Sequence, residues 1–370
     1  MKMNITETQP TFDIKKPTPR IVFLDYLRVI SITMVLMVHA IEIFYLAVDH
    51  VSIKAGDEFW VNIMSSPLRA CVPLFVMASG YLLVPIKSSP KEFYKKRFAR
   101  ILIPFIIWSV LYAVVPYIFG QDTFAVMQHK ITTLLHNFNL ESGHLWFIYM
   151  LVGIYLFLPI ISPWLKVASK RFVEFYLVLW FLSSFHHYLK LAFPDGVFGE
   201  VFWNEFHSLW YFSGHLGFIV LAFYFRKFVH LNNKQSRIFG LVIFGVGYAI
   251  TAFLFGHFLS QTKEIYYVEM AWRFCTPNVI LMTIGLFLMF RTITVTNEKV
   301  YGIIKELSRL SYGVYLSHLF FVGLSWTYIV QPMALSTPLS ILLVTFFTWS
   351  ASYLLVKILS YLPKSKYIVG

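Results

Sequence analysis

Charge is what this sequence has least of. Only 13% of its 370 residues are Asp, Glu, Lys or Arg, about half the proportion usual in soluble domains. Cysteine is nearly absent. Cys71 and Cys275 lie inside apolar runs with no metal-ligand spacing around them, so both read as buried thiols. The sequence has no Walker motif, no dinucleotide glycine pattern and no Gly-x-Ser-x-Gly elbow. It has no evident internal repeat. It also lacks the short apolar core and small-residue cleavage site of a removable leader, so the first span is expected to stay as an anchor. Apolar surface is what is abundant: 58% of residues are hydrophobic, with 38 Phe and 22 Tyr. A soluble globule must cover its large surface with polar groups, and this chain has too few. The composition excludes an ordinary cytosolic enzyme, a disordered tail and a secreted disulfide scaffold. It leaves a polytopic membrane protein.

A helix needs about 20 apolar residues to cross the hydrocarbon core. Ten stretches qualify: 22–46, 61–85, 101–119, 145–166, 172–193, 208–225, 238–259, 273–290, 310–330 and 338–361. The fifth is crowded at its far end by His186, His187 and Lys190. The connections are short and polar. The expected fold is therefore all-α, a polytopic integral membrane bundle of about ten transmembrane helices. Residues 1–20 form a tail, 21–361 the membrane domain and 362–370 a second short tail.

Orientation follows from the basic residues. With the N-terminus inside, 23 of the 31 Lys and Arg fall in inside segments. Only Lys54, Lys130 and Lys263 fall outside, while Arg28, Arg69, Lys190, Arg273 and Lys357 lie within spans. Ten of the 18 acids fall outside. This asymmetry predicts that both termini are cytoplasmic. The formal charge of +13 then reflects topology and attraction to anionic membrane lipid, and nucleic acid is not an expected partner.

Ionisable residues inside a span are costly and mark function by default. The first span carries four: Asp25, Arg28, His39 and Glu42. The eleven positions from Arg28 to His39 turn a helix about 20° past three full turns, so the two share a face about 16 Å apart along the axis. Asp25 and Glu42 lie close to the same stripe. Simpler roles exist for each: Arg28 snorkelling to headgroups, Asp25 pairing with Arg28, and His39 as a structural histidine. A second concentration is the basic segment 86–100. There Arg97 and Arg100, at i and i+3, serve either as topological charge or as a phosphate clamp. Arg69 sits inside the second span and needs a partner. His144 opens the fourth span, followed by Trp146, whose place suits an interfacial belt. His318 closes the run Ser311-Tyr312-Gly313-Val314-Tyr315-Leu316-Ser317-His318 in the ninth. The other histidines, among them His207 and His215, sit in loops or near span ends, and adjacent His186 and His187 point to different faces. No metal site is predicted.

These residues carry a resemblance. Leu24-Asp25-Tyr26-Leu27-Arg28 is followed after ten residues by His39. Arg97-x-x-Arg100 precedes the third span, and Arg69 leads through Val72-Pro73-Leu74-Phe75 to Ser79-Gly80-Tyr81. His144-Leu145-Trp146-Phe147 and Ser311-Tyr312-Gly313 through His318 complete the set. In this order, on a ten-span chain, they resemble the membrane-bound acyltransferase-3 family over residues 20–361. The likeness is to its surface-polysaccharide O-acetyltransferases, such as those acting on enterobacterial common antigen. The chain carries no appended esterase-like domain, so transfer is expected to finish within the membrane domain.

The resemblance implies an acyl-coenzyme A donor, chiefly acetyl-CoA, on the cytoplasmic side of a bacterial inner membrane. It implies a hydroxyl acceptor on a surface glycan or its lipid-linked precursor. His39 is then the general base, since neutral imidazole titrates near physiological pH. An acyl-histidine relay is the other variant. Glu42 orients the imidazole, Arg28 with Asp25 holds the donor path, and Arg97 and Arg100 take the coenzyme A phosphates. Arg69 is grouped with the donor residues, with an acceptor or carbonyl contact as its other role. His144, Trp146 and His318 are expected at the acceptor. Two alternatives stay open from the residues alone: a ten-helix secondary transporter or exporter of a polar solute, although no paired short spans are seen, and a scaffold subunit, which leaves the polar stripe unexplained.

Overall fold

A computed structural model describes residues 20–370 except 48–49, 195, 198, 200–208 and 210–211. The tail before residue 20, His207 and most of the start of the expected sixth span lie outside the described residues. Among those described there is no strand, only an isolated bridge between Leu46 and Val51. The helices are α1 Val22–Glu42, α2 Glu58–Ser65, α3 Cys71–Leu83, α4 Pro90–Ile118, α5 Phe124–Thr133, α6 Trp146–Val167 and α7 Lys170–Ser183. They continue with α8 His186–Ala192, α9 Leu216–Phe228, α10 Asn233–Gln261, α11 Ile265–Val268, α12 Pro277–Phe290, α13 Glu298–Ser325 and α14 Thr337–Leu359. The fold is an all-α polytopic membrane bundle.

Eight helical stretches among the described residues are long and apolar enough to cross a membrane. The two other expected spans take a different form. The fifth is broken into α7 and α8 at Ser184–Phe185, where the polar residues begin. The sixth is represented by the 13-residue α9. The second expected span is α2 and α3 joined by a 3₁₀ turn at Ser66–Ala70, and Arg69 sits in that turn.

α1 contains no Gly or Pro, and its hydroxyls are turned inward. Ser31 and Thr33 donate to the carbonyls of Leu27 and Val29 at 2.7 and 2.8 Å, so neither hydroxyl is left unpaired against an apolar neighbour. α1 packs against α13. Their N-terminal ends meet where Ser308 donates to Asp25, and their far ends meet at His39 and His318. The two helices therefore run parallel. Pro104 in α4 and Pro159 in α6 disturb their own helices. Close to each, a carbonyl accepts from a tyrosine of a neighbouring helix: Tyr312 donates to Ile101 and Tyr94 to Leu156, both at 2.9 Å. Prolines in lipid are tolerated where neighbours satisfy the loosened backbone.

α10 and α12 cross antiparallel over small residues. A Cβ on Gly285 would lie 2.5 Å from the Gly240 carbonyl oxygen, so the backbones touch directly. The segment after α14 is not a free tail, because Trp108 donates to the Ile368 carbonyl at 2.9 Å and Val369 is buried.

Candidate functional site

The site is built between α1, α4, α6 and α13. At one end Asp25 is saturated. It accepts from Arg20 at 2.6 and 2.8 Å, from Ser308 at 2.8 Å and from Tyr301 at 3.1 Å. Its partner is thus Arg20, and the expected pairing with Arg28 does not form. Four donors on a 2% exposed carboxylate make Asp25 a tie between α1 and α13 that leaves no lone pair for chemistry. The catalytic role expected of it is corrected on that ground.

Freed from Asp25, Arg28 turns into a cavity of about 200 Å³. Arg97, Arg100 and Arg309 line the same cavity, with Ser79, Tyr155 and Tyr312. Among the described residues none of these four arginines has an ion pair to a carboxylate. The Arg97 Nε is buried without a hydrogen-bond partner. Four guanidiniums without a direct carboxylate partner around one small space suit an anion, and their forked donors suit phosphate. Arg28, expected on the donor path with Asp25, thus lines one cavity with Arg97 and Arg100. Arg309 was missed. Counted along the sequence it is one more inside charge, and it lies half a turn out of register with His318. Only the approach of α13 to α4 brings it in.

Arg226 frames this end. Its guanidinium donates to the Tyr81 and Val84 carbonyls at the end of α3, which have no partner within the helix.

At the cavity's deep end lie Val35, Phe147 and Tyr315. One turn beyond Val35 is His39, and one turn beyond Tyr315 is His318. His39 Nδ1 is 2.7 Å from Glu42 Oε2. The His39 side chain is 18% exposed and that of Glu42 29%, so the pair is sheltered but reachable. The His318 ring lies 5.1 Å from that of His39, and the His144 ring lies 4.9 Å from His318 and 6.4 Å from His39. Three imidazoles from α1, α13 and the turn before α6 thus converge. The sequence gives this no periodic signature, since the three lie far apart along the chain. Among the described residues no three of His, Cys, Asp and Glu are placed to hold a metal ion.

His144 is held from outside. Lys130 bridges Asp122 at 2.7 Å and Glu141 at 2.6 Å, which pins the turn Leu140–Leu145. Tyr315 donates to the His144 carbonyl at 2.5 Å.

Arg69 does not join the other arginines. Its guanidinium lies over Trp272, 4.0 Å from the ring, and donates to Ser65 at 2.7 Å. It lines a second cavity of about 620 Å³, with Trp146, His215, Glu269, Arg273 and Phe274. This cavity lies at the far end of α1, where Tyr45 donates to Glu269 at 2.5 Å and the Arg69 charge acts on Glu42. Grouping Arg69 with the arginines of the first cavity is therefore corrected: the 3₁₀ turn that carries it sits at the other end of the bundle. Trp146, stacked 5.5 Å from Phe274, belongs to this second cavity and not to the histidine cluster.

The bundle thus holds a sheltered His39–Glu42 pair, with an arginine-lined cavity towards one end and an aromatic cavity towards the other. A family model described as an acyltransferase domain matches residues 21–357, and the chain belongs to this family, acyltransferase-3. No curated protein and no solved structure matches it. The protein is thus a multi-pass membrane acyltransferase, and the exporter alternative is not favoured.

Proposed function

We propose that this protein transfers an acetyl group from acetyl-CoA to a hydroxyl of a surface polysaccharide or its lipid-linked precursor in a bacterial inner membrane. The motif resemblance to O-acetyltransferases acting on enterobacterial common antigen supports this reading. The observation that carries this reading is the four-arginine cavity whose deep end lies one helical turn from His39. The cluster of basic residues around that end supports an orientation towards the cytoplasm, where coenzyme A is found.

The arginine cavity is narrow. It suits the acyl-pantetheine arm, whose reach is comparable to the Arg28–His39 rise of about 16 Å. The nucleotide end then lies outside, over the depression formed by Ser88, Glu92, Lys95 and Lys96, which shares Arg97 with the cavity.

A carboxylate only accepts, so Glu42 fixes the proton of neutral His39 on Nδ1 and leaves the Nε2 lone pair as base. Nε2 takes the proton of the acceptor hydroxyl while its oxygen bonds to the thioester carbon. The tetrahedral adduct then expels the thiolate, which recovers that proton as coenzyme A. The acceptor is assigned to the second cavity, where Trp146 and Phe274 offer flat faces and Glu269 and Arg273 offer polar partners. His39→Ala is expected to abolish acetylation of surface glycans, read by mass spectrometry, while the protein still inserts. Unchanged acetyl content in that variant would sink the assignment.

A further inference from the structure

The molecule has a buried base that this mechanism leaves unused. His318 is 0% exposed, and its Nδ1 lies 2.6 Å from the Tyr315 carbonyl. A carbonyl can only accept, so the proton of neutral His318 is on Nδ1 and a lone pair is on Nε2. That Nε2 is buried with no partner.

Neither neighbouring tyrosine hydroxyl supplies a hydrogen. Tyr112 from α4 donates its hydroxyl proton to the Leu316 carbonyl at 3.1 Å. Tyr315 gives its own to the His144 carbonyl. Neither ring nitrogen of His144 has a partner. From α1 the titratable groups are His39 itself and Glu42, which is already hydrogen-bonded to His39. A buried acceptor without a donor is costly and rare. Here two imidazoles with the same tautomer are locked by their Nδ1 hydrogen bonds, with ring centroids 5.1 Å apart.

We propose that His318 is the proton partner of His39. The proposal rests on the acyltransferase reading above. When His39 takes the acceptor proton, the new Nε2–H is shared with the Nε2 lone pair of His318 while the tetrahedral adduct lives. The O–H bond breaks and an N–H bond forms as oxygen bonds to carbon. When the C–S bond breaks, the same proton returns through His39 to the departing sulfur. Atoms and charge balance, and both imidazoles end neutral. Spreading the proton over two rings stabilises an imidazolium that burial would otherwise disfavour. His318 acts through His39 and is a positioning residue for its proton.

The test uses the full chain in membranes, with labelled acetyl-CoA as donor and the endogenous glycan as acceptor. His318→Asn keeps a donor for the Tyr315 carbonyl and removes Nε2. We expect kcat to fall about a hundredfold or more, the scale of positioned proton transfer. KM for acetyl-CoA should hold, and the pH–rate profile should change shape. Activity within about threefold of wild type overturns the proposal, and so does a loss confined to KM. Thermal stabilisation of the purified variant by acetyl-CoA confirms that it folds. If His318→Asn does not fold, His318→Gln decides, because its amide fills the Nε2 position but cannot take up a proton; an active Gln variant overturns the proposal. An active His39→Ala protein would instead bring down the underlying reading, so the two failures are distinct.

Discussion

At the scale of single residues, the stripe on α1 divides by what each side chain is already bonded to. Asp25 has all its lone pairs spent on Arg20, Ser308 and Tyr301, and serves packing. Glu42 spends one oxygen on His39 and leaves its tautomer no freedom. Glu42→Gln keeps the shape but lets the amide donate, which favours the wrong tautomer. We expect kcat to drop by about two to four orders of magnitude, with the acetyl-CoA KM unchanged. Arg309 tests the anion site without touching the reacting atoms. Arg309→Ala is expected to raise KM for acetyl-CoA about tenfold or more, the worth of one charge-assisted hydrogen bond, and to spare kcat. Initial rates over a range of donor concentrations check both variants.

At the scale of elements, helix existence follows from apolar runs, while the breaks follow from what interrupts them. Pro67 sits at the start of the 3₁₀ turn in the second span, and Ser183, Ser184 and the paired histidines end α7. Those interruptions are legible as residue types. Their consequence, Arg69 swung onto Trp272, needs the neighbouring helix. The α10–α12 crossing is the most exacting contact between elements. In Gly285→Val the new side chain has no room beside the Gly240 carbonyl, and overpacking of this kind costs about 1–3 kcal/mol. A lower thermal midpoint in detergent is expected, with activity per folded molecule preserved because the crossing is remote from His39. A variant as stable as wild type would mean the two backbones can part without cost.

At the scale of the whole molecule, charge is sorted along the bundle. Most Lys and Arg crowd one end, and four of the arginines there face a cavity instead of lipid headgroups or carboxylates. A polyanionic donor should therefore stabilise the protein, and salt should weaken that effect by screening. We expect the thermal shift given by acetyl-CoA to shrink between about 0.05 and 0.5 M NaCl. A shift indifferent to salt would point to apolar contacts of the acyl arm as the main source of affinity.

The sequence by itself determined the class of this protein. Too little charge for a soluble surface, apolar runs of membrane length and the bias of basic residues fixed an all-α membrane bundle, because lipid leaves the backbone no other way to satisfy itself. It also determined the stripe that holds Arg28, His39 and Glu42, because helical geometry is local and periodic. Only the tertiary structure decided which groups act together. It brought His144 and His318 to His39, added Arg309 to the arginine cavity, gave Asp25 to Arg20 and sent Arg69 to the opposite end. Each of these depends on which helix lies beside which, and side chains hundreds of positions apart leave no spacing in the sequence to announce that they meet.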